Sequence, residues 1–259
     1  MSQAGMGLAL ATAITAVWLF SLLALLSVDL ASQSLSLVVL AIGLRTFLQT
    51  GLFIIGHDAM HGVLLPLRSG ANQRLGQLAL ALYACLPYQR CLLNHRQHHL
   101  DPGSHQDPDV LAGAGPLAWY GRFMAGYLGV GQMASLLTTW AICLLFAWPH
   151  TANPALAVGL VCILPLILSS LQLFAFGTYL PHRGAGQAWG PGHQAHSLDL
   201  PVWLSLITCY HFGYHREHHQ SPGLPWFALP AQRRSDPSGC RLAPVPRGSK
   251  DSAIASLPT

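Results

Sequence analysis

Three histidine clusters carry the chemistry that this chain offers. His57 and His61 bound the string HDAMH, His95, His98 and His99 fall in HRQHH, and His215, His218 and His219 fall in HREHH. Residues three or four apart lie on one face of a helix. His57 and His61 can therefore point together, and in each HxxHH set the first histidine shares a face with both others. Each set offers a compact group of neutral nitrogens to a metal ion. A single HxxxH would say little, but three such clusters point to a metal centre rather than to scattered core or surface imidazoles.

Eight imidazoles exceed what one tetrahedral zinc ion takes. The count fits a pair of metals. Imidazole suits iron, zinc, copper and nickel, and of these readings a pair of irons adds the ability to activate dioxygen, which redox-inert zinc lacks. A zinc membrane protease would call for HExxH with glutamate as base, whereas Asp58 follows His57 here and Glu217 sits inside the third cluster. The six cysteines, Cys85, Cys91, Cys143, Cys162, Cys209 and Cys240, form no CxxC pair. They read as small buried hydrophobes, not as iron–sulfur ligands or a disulfide framework. Ligating imidazoles usually donate their other N–H to a carboxylate or a carbonyl. Asp58, Asp107, Asp109 and Glu217 are candidates for that role, with Asp107-Pro108-Asp109 also readable as a turn. Arg96 and Arg216 could pair with these acids or face a donor protein.

The elements that must hold these groups are apolar. The chain has 259 residues, with 14 histidines against 13 Lys plus Arg and 9 Asp plus Glu, and 8% of it is charged, where soluble domains run near about 25%. That balance excludes an ordinary soluble enzyme, a disordered chain and a nucleic-acid binder; the net charge of +4 is no field for phosphates. A membrane span needs about 20 apolar residues. Residues 6–28 and 35–55 supply two such runs, and 130–148 and 155–180 supply a hairpin divided near Trp148–Pro154. Arg45, costly in lipid, must turn toward protein or headgroups. Residues 75–88 and 201–212 are apolar but short, and predict interfacial or re-entrant helices. The predicted outer loops, 29–34 and 149–154, hold Asp29 and no Arg or Lys, whereas the other connections carry the arginines. The positive-inside rule then puts both termini and all three histidine clusters on the cytoplasmic side. The fold expected is an all-α integral membrane protein of about four spans, with cytosolic interfacial helices carrying a histidine-rich dimetal site. Residues 1–230 form one catalytic domain and 231–259 a flexible tail. A metal transporter or store would show more ionisable groups within its spans than Arg45.

The order HxxxH, HxxHH, HxxHH on four spans resembles the membrane fatty acid desaturase and hydroxylase superfamily. Local strings resemble its bacterial beta-carotene ketolase branch: GHDAMHG at 56–62, HRQHHLDPGSHQDPD at 95–109, FGTYLPHRG at 176–184, TCYHFGYHREHH at 208–219 and PGLPWFALP at 222–230. The resemblance covers roughly residues 45–230; the boxes specify only the superfamily, and the LPHR and HFGYHREHH strings specify the branch.

The resemblance implies a non-haem diiron monooxygenase of the bacterial inner membrane, with the eight box histidines as ligands and dioxygen as cosubstrate. It also implies a further histidine from the region before the third box. His182 in LPHR holds such a place; His211, four residues before His215, is its rival, with support of a ligand as its other reading. His193 and His196 are neighbours of the site or surface residues, His105 follows the second box in a turn, and His150 lies in an outer loop. The reaction implied is conversion of the allylic C4 methylene of a beta-ionone ring to a ketone by two hydroxylations and loss of water, giving echinenone, canthaxanthin or, from hydroxylated rings, astaxanthin. The runners-up are ring hydroxylation and acyl desaturation on the same scaffold. No flavin, nicotinamide or haem fingerprint is visible, so electrons are expected from a ferredoxin-type donor in the cytosol. The carotenoid would enter from the lipid bilayer along an apolar channel. Trp119, Tyr120, Phe123, Tyr127, Phe174, Phe176 and Tyr179 are candidate wall residues.

Overall fold

Polar caps start the long apolar helices. Ser2 Oγ accepts from Gly5 N at 3.2 Å, Ser34 Oγ from Leu37 N at 3.4 Å, and Asn153 Oδ1 from Leu156 N at 3.0 Å, each satisfying a backbone donor left over in a first turn. The computed structural model describes residues 2–104, 106–183 and 195–235. Its helices in chain order are α1 (Gln3–Leu26), α2 (Leu35–Met60), α3 (Ser69–Ala84), α4 (Tyr88–Leu100) and α5 (Pro116–Tyr127). They continue as α6 (Val130–Ala147), α7 (Pro154–His182), α8 (Val202–Cys209), α9 (His215–Gln220) and α10 (Leu229–Ser235).

Among the described residues, α1, α2, α6 and α7 are long and apolar enough to cross a membrane. All four expected spans are present. α2 extends five residues past its expected end at Ile55, so His57 stands on the span itself rather than beyond it. Large apolar side chains such as Phe20 and Leu40 point outward, 74% and 68% exposed, as a lipid-facing surface requires.

Arg45 turns into the protein. It is buried, and its Nε donates to Val161 O at 3.1 Å, while its Nη1 donates to Trp18 O at 2.7 Å and Ser21 Oγ at 3.1 Å. The guanidinium also lies over the Trp18 ring, 4.9 Å from its centroid. Val161 lies in a widened turn of α7 shortly before Pro165, which has no N–H to give the helix ladder. In lipid the Val161 carbonyl must be satisfied from within the protein. α7 widens to five-residue hydrogen-bonded turns at Gly159–Ile163 and Leu173–Tyr179, just ahead of Pro165 and Pro181. Widened turns relieve the clash a proline ring makes with the preceding turn.

The short apolar segment 75–88 is re-entrant. α3 runs back along the inner half of α2: Asn72 Nδ2 donates to Ala59 O at 2.7 Å, Leu80 packs on Gly56, and Gln49 Nε2 donates to Tyr83 O. The approach is close enough that a Cβ on Gly76 would stand 2.6 Å from Ala59 Cβ, and one on Gly56 2.5 Å from Leu80 Cδ2. Cys85, in the left-handed region at φ 54°, ends α3. α4 then returns to the level where α2 ends.

α8 stops where Tyr210 and His211 both take left-handed conformations, φ 48° and 65°. Tyr210 is pinned by stacking on Phe47, 4.4 Å between centroids, and by donating to Phe47 O at 3.2 Å. The segment expected to be a flexible tail begins inside α10, whose Arg233 Nη1 reaches Glu217 Oε1 at 3.3 Å; residues 236–259, with Cys240, lie outside the described residues.

Candidate metal centre

Four helix ends converge on the histidines. His57 lies in the last turn of α2 and His61 just past it, His98 and His99 in the last turn of α4, His182 at the end of α7, and His218 and His219 in the last turn of α9. Each of these is a C-terminus, the negative end of the helix dipole, which favours a bound cation.

The nine imidazoles sort into two groups. His57, His61, His95, His99 and His218 form one; His98, His182, His215 and His219 form the other. Within each group the candidate ligand nitrogens all lie within 4.8 Å of one another. His182 therefore joins the eight box histidines. The expectation that each HxxHH set acts as one compact group needs correction, because both sets are divided. In α4, His95 and His99 go to the first group and His98 to the second; in α9, His215 and His219 go to the second and His218 to the first. The cause is helical: positions four apart stay nearly in line, whereas the last two histidines of the box differ by one residue, about 100° around the axis. Each box thus straddles both groups.

The donor set fits metal. His95 Nε2 and His61 Nε2 are 2.7 Å apart, His98 and His219 3.1 Å, His99 and His218 3.0 Å, and His219 and His215 3.0 Å. Nitrogens about 2.1 Å from one ion and at right angles stand about 3 Å apart, against about 3.4 Å for a tetrahedron. Burial, reinforced by neighbouring imidazoles, holds His95, His215, His218 and His219 well below the usual histidine range, and burial takes His99 down to about 3 and His61 to about 4. The rings are neutral at ordinary pH, so their lone pairs are available to metal.

His98 is the exception. Burial lowers it, but its hydrogen bond to Asp107 and the charge of Asp107 and Asp109 raise it overall. Its Nδ1 lies 2.9 Å from Asp107 Oδ2 and 3.0 Å from Oδ1. Gly103 N and Asp109 N also donate to that carboxylate, at 2.7 and 2.8 Å. Asp107 is thus the acid that orients a cluster imidazole.

The other expected acids do different work. Asp58 Oδ1 is 3.7 Å from His57 Nδ1, beyond a hydrogen bond, and Asp58 Oδ2 accepts from Trp226 N at 3.3 Å. Glu217 accepts from Ser197 Oγ and Arg233 Nη1, tying the segment before α8 and α10 to α9. Asp109 Oδ1 accepts from Tyr127 Oη at 3.0 Å, and burial holds its carboxyl above the usual range. His211 lies in neither group: the left-handed residues at 210 and 211 end the helix on which it would have faced His215, and its ring stacks on Tyr214. His105 and His193 lie outside the described residues. His150 is exposed, its Nδ1 2.9 Å from Phe146 O.

A cavity adjoins the histidines, lined by His57, His95, His98 and His215 together with Phe53, Asp109, Phe123, Tyr127 and Leu173. An apolar cavity shares Phe53, Phe123, Tyr127 and Leu173 with it and continues past Tyr120, Leu136 and Leu166 to the partly exposed Leu128 and Ile167. The two lie side by side across these shared side chains, a slot directed from the metal centre toward the exposed Leu128 and Ile167 of the apolar surface. Of the candidate wall residues, Tyr120, Phe123 and Tyr127 line the slot. Trp119 and Phe174 are buried beside it, with Tyr179 packed on Trp119 at 5.3 Å, and Phe176 borders a separate groove. Sequence reasoning passed over Leu173, Gly177 and Thr178, which the second widened turn of α7 brings to the inner cavity. Pro181 within an apolar run was the available signal. It also passed over Phe212, whose ring packs 4.5 Å from that of His57.

The sequence profile of the fatty acid desaturase family matches residues 32–249. A beta-carotene ketolase of Paracoccus sp. (strain PC1) is 40% identical over 233 residues, 88% of this chain and 92% of that protein. Beta-carotene 4-ketolase 3 of Haematococcus lacustris is 38% identical over 206 residues, 77% of this chain and 62% of that protein. Zeaxanthin 4-ketolase of Chlamydomonas reinhardtii is 38% identical over 202 residues, 76% of this chain and 44% of that protein.

Proposed function

This chain belongs to the fatty acid desaturase family, and from that premise we propose that it is a beta-carotene ketolase, oxidising the allylic C4 methylene of a beta-ionone ring to a ketone. The observation that carries the reading is the meeting of an all-imidazole double cluster with an aromatic slot open toward lipid. His57, His61, His95, His99 and His218 would hold one iron, and His98, His182, His215 and His219 the other. Two irons bound there would supply the dioxygen chemistry that oxidation of the allylic C–H bonds requires.

The residues of the chain do the positioning. The slot accepts a rigid polyene end-on from the bilayer, and Phe53, Phe123 and Leu173 bring its ring to the inner cavity. Apolar walls keep bulk water from the oxidised carbon. Asp107 fixes the ring of His98 so that its Nε2 faces the second group. Each hydroxylation consumes one dioxygen, two electrons and two protons and releases one water. Two at C4 give a geminal diol, which loses water to the ketone. Electrons come from a ferredoxin-type protein, since the chain carries no flavin or nicotinamide fingerprint. The arginine-rich connections support a cytoplasmic position for the histidine end of the spans, on the side where such a donor is available.

Expression in cells that accumulate beta-carotene, followed by product identification, tests this reading. A C4 ketone is expected. A C3 alcohol, a new acyl double bond or unchanged carotene would overturn it.

A further inference from the structure

One polar pair interrupts the aromatic neck where the two cavities meet. Tyr127 Oη donates to Asp109 Oδ1 at 3.0 Å. Asp109 is 8% exposed and held at both ends of its backbone: its N–H donates to Asp107 Oδ1 at 2.8 Å and its carbonyl accepts from Trp119 Nε1 at 2.7 Å. Among the described residues Asp109 Oδ2 has no hydrogen-bond partner, and the side chain lines the same inner cavity as His57, His95, His98 and His215. A carboxyl in an apolar slot is costly unless its oxygens find partners. A beta-ionone ring offers none. The alcohol left by its first oxidation offers a hydroxyl, at the carbon that must be oxidised again.

We propose that Asp109, oriented by Tyr127, is a hydroxyl-binding subsite that holds the C4 alcohol between the two oxidations. This rests on the ketolase reading above. Its effect is on partition: a retained alcohol goes on to ketone, whereas a released one appears as product. The subsite adds no affinity for the unoxidised ring, so it acts after the first oxidation only.

The test is the ratio of C4 alcohol to C4 ketone made in beta-carotene-accumulating cells. Asp109→Leu, of similar size and without oxygens, should raise that ratio about tenfold. Asp109→Asn, whose amide still hydrogen-bonds, should keep it within about twofold of the unaltered protein. A merely structural role would lower both products together and leave the ratio unchanged, which overturns the proposal. A second measurement does not depend on variants that fold. The purified unaltered protein, titrated with each carotenoid and followed by polyene absorption, should bind the C4 alcohol at least about tenfold more tightly than beta-carotene. Equal affinities overturn the proposal. Failure of the unaltered protein to make either product would sink the ketolase reading instead.

Discussion

His98 is held between Asp107 and His219: its Nδ1 lies 2.9 Å from Asp107 Oδ2 and its Nε2 3.1 Å from His219 Nε2. That is the arrangement in which a carboxylate fixes the tautomer and aim of a ligating imidazole. Asp107→Ala is expected to lower metal affinity about 10- to 100-fold. Asp58→Asn should cost far less, because Asp58 is 3.7 Å from His57 and spends an oxygen on Trp226 N. Iron remaining after dialysis against a chelator measures both. Equal losses in the two variants would show that Asp107 has no special part.

His182 and His211 are separated by the same experiment. His182 stands among the second group, with its ring 4.8 Å from that of His98 and 4.9 Å from that of His215. His211 is outside both groups. His182→Ala should lose an iron and its oxidation activity, whereas His211→Ala should keep both irons. The reverse result would make His211 the ninth ligand.

Much of this centre was legible in the sequence. The three boxes and the four spans followed from spacing and hydropathy, whereas His182 was a candidate only through the family resemblance, with His211 as its rival, and it is His182 that the fold groups with the box histidines. The sharing of each HxxHH box was not, although the one-residue step between its last two histidines is what produces it: His98 and His99 part company by rotation alone. The separate duties of Asp58, Asp107, Asp109 and Glu217 were not legible either, because they depend on which backbone segment returns to each acid. Trp226 reaches Asp58 across 168 positions of sequence. For Arg45 the sequence left protein and headgroups both open; its partners are Val161 O, Trp18 O and Ser21 Oγ, none of which was anticipated. Pro165, which interrupts the hydrogen-bond ladder of α7 next to the widened turn that holds Val161, was the overlooked sign.

The re-entrant α3 positions α4, and so three of the nine clustered histidines, through close contact with α2. Gly76→Ala puts a methyl 2.6 Å from Ala59 Cβ and 2.4 Å from the Tyr88 ring. Overpacking of this kind costs about 1–3 kcal/mol, and it should lower the melting temperature in detergent together with iron content. Gly70→Ala, on the same helix with nothing within 4 Å of the new methyl, should do neither. Thermal unfolding and elemental analysis of the two variants check the contrast.

Leu136 lines the lipid-side part of the slot and has no contact with the histidine cavity. Leu136→Trp is expected to leave the iron count unchanged and to reduce ketone formation at least about tenfold, by filling the path of the polyene. Undiminished product would mean that the ring reaches the centre by another route.

The most direct measurement is the number and identity of metal ions per chain in protein purified from iron-replete cells, for the unaltered chain and for His99→Ala and His219→Ala. His99 belongs to one group and His219 to the other. Two irons are expected in the unaltered protein, with loss of metal and of ketone formation in each variant. One metal ion per chain, zinc in place of iron, or full iron and activity in both variants would contradict a diiron centre built from two shared histidine groups.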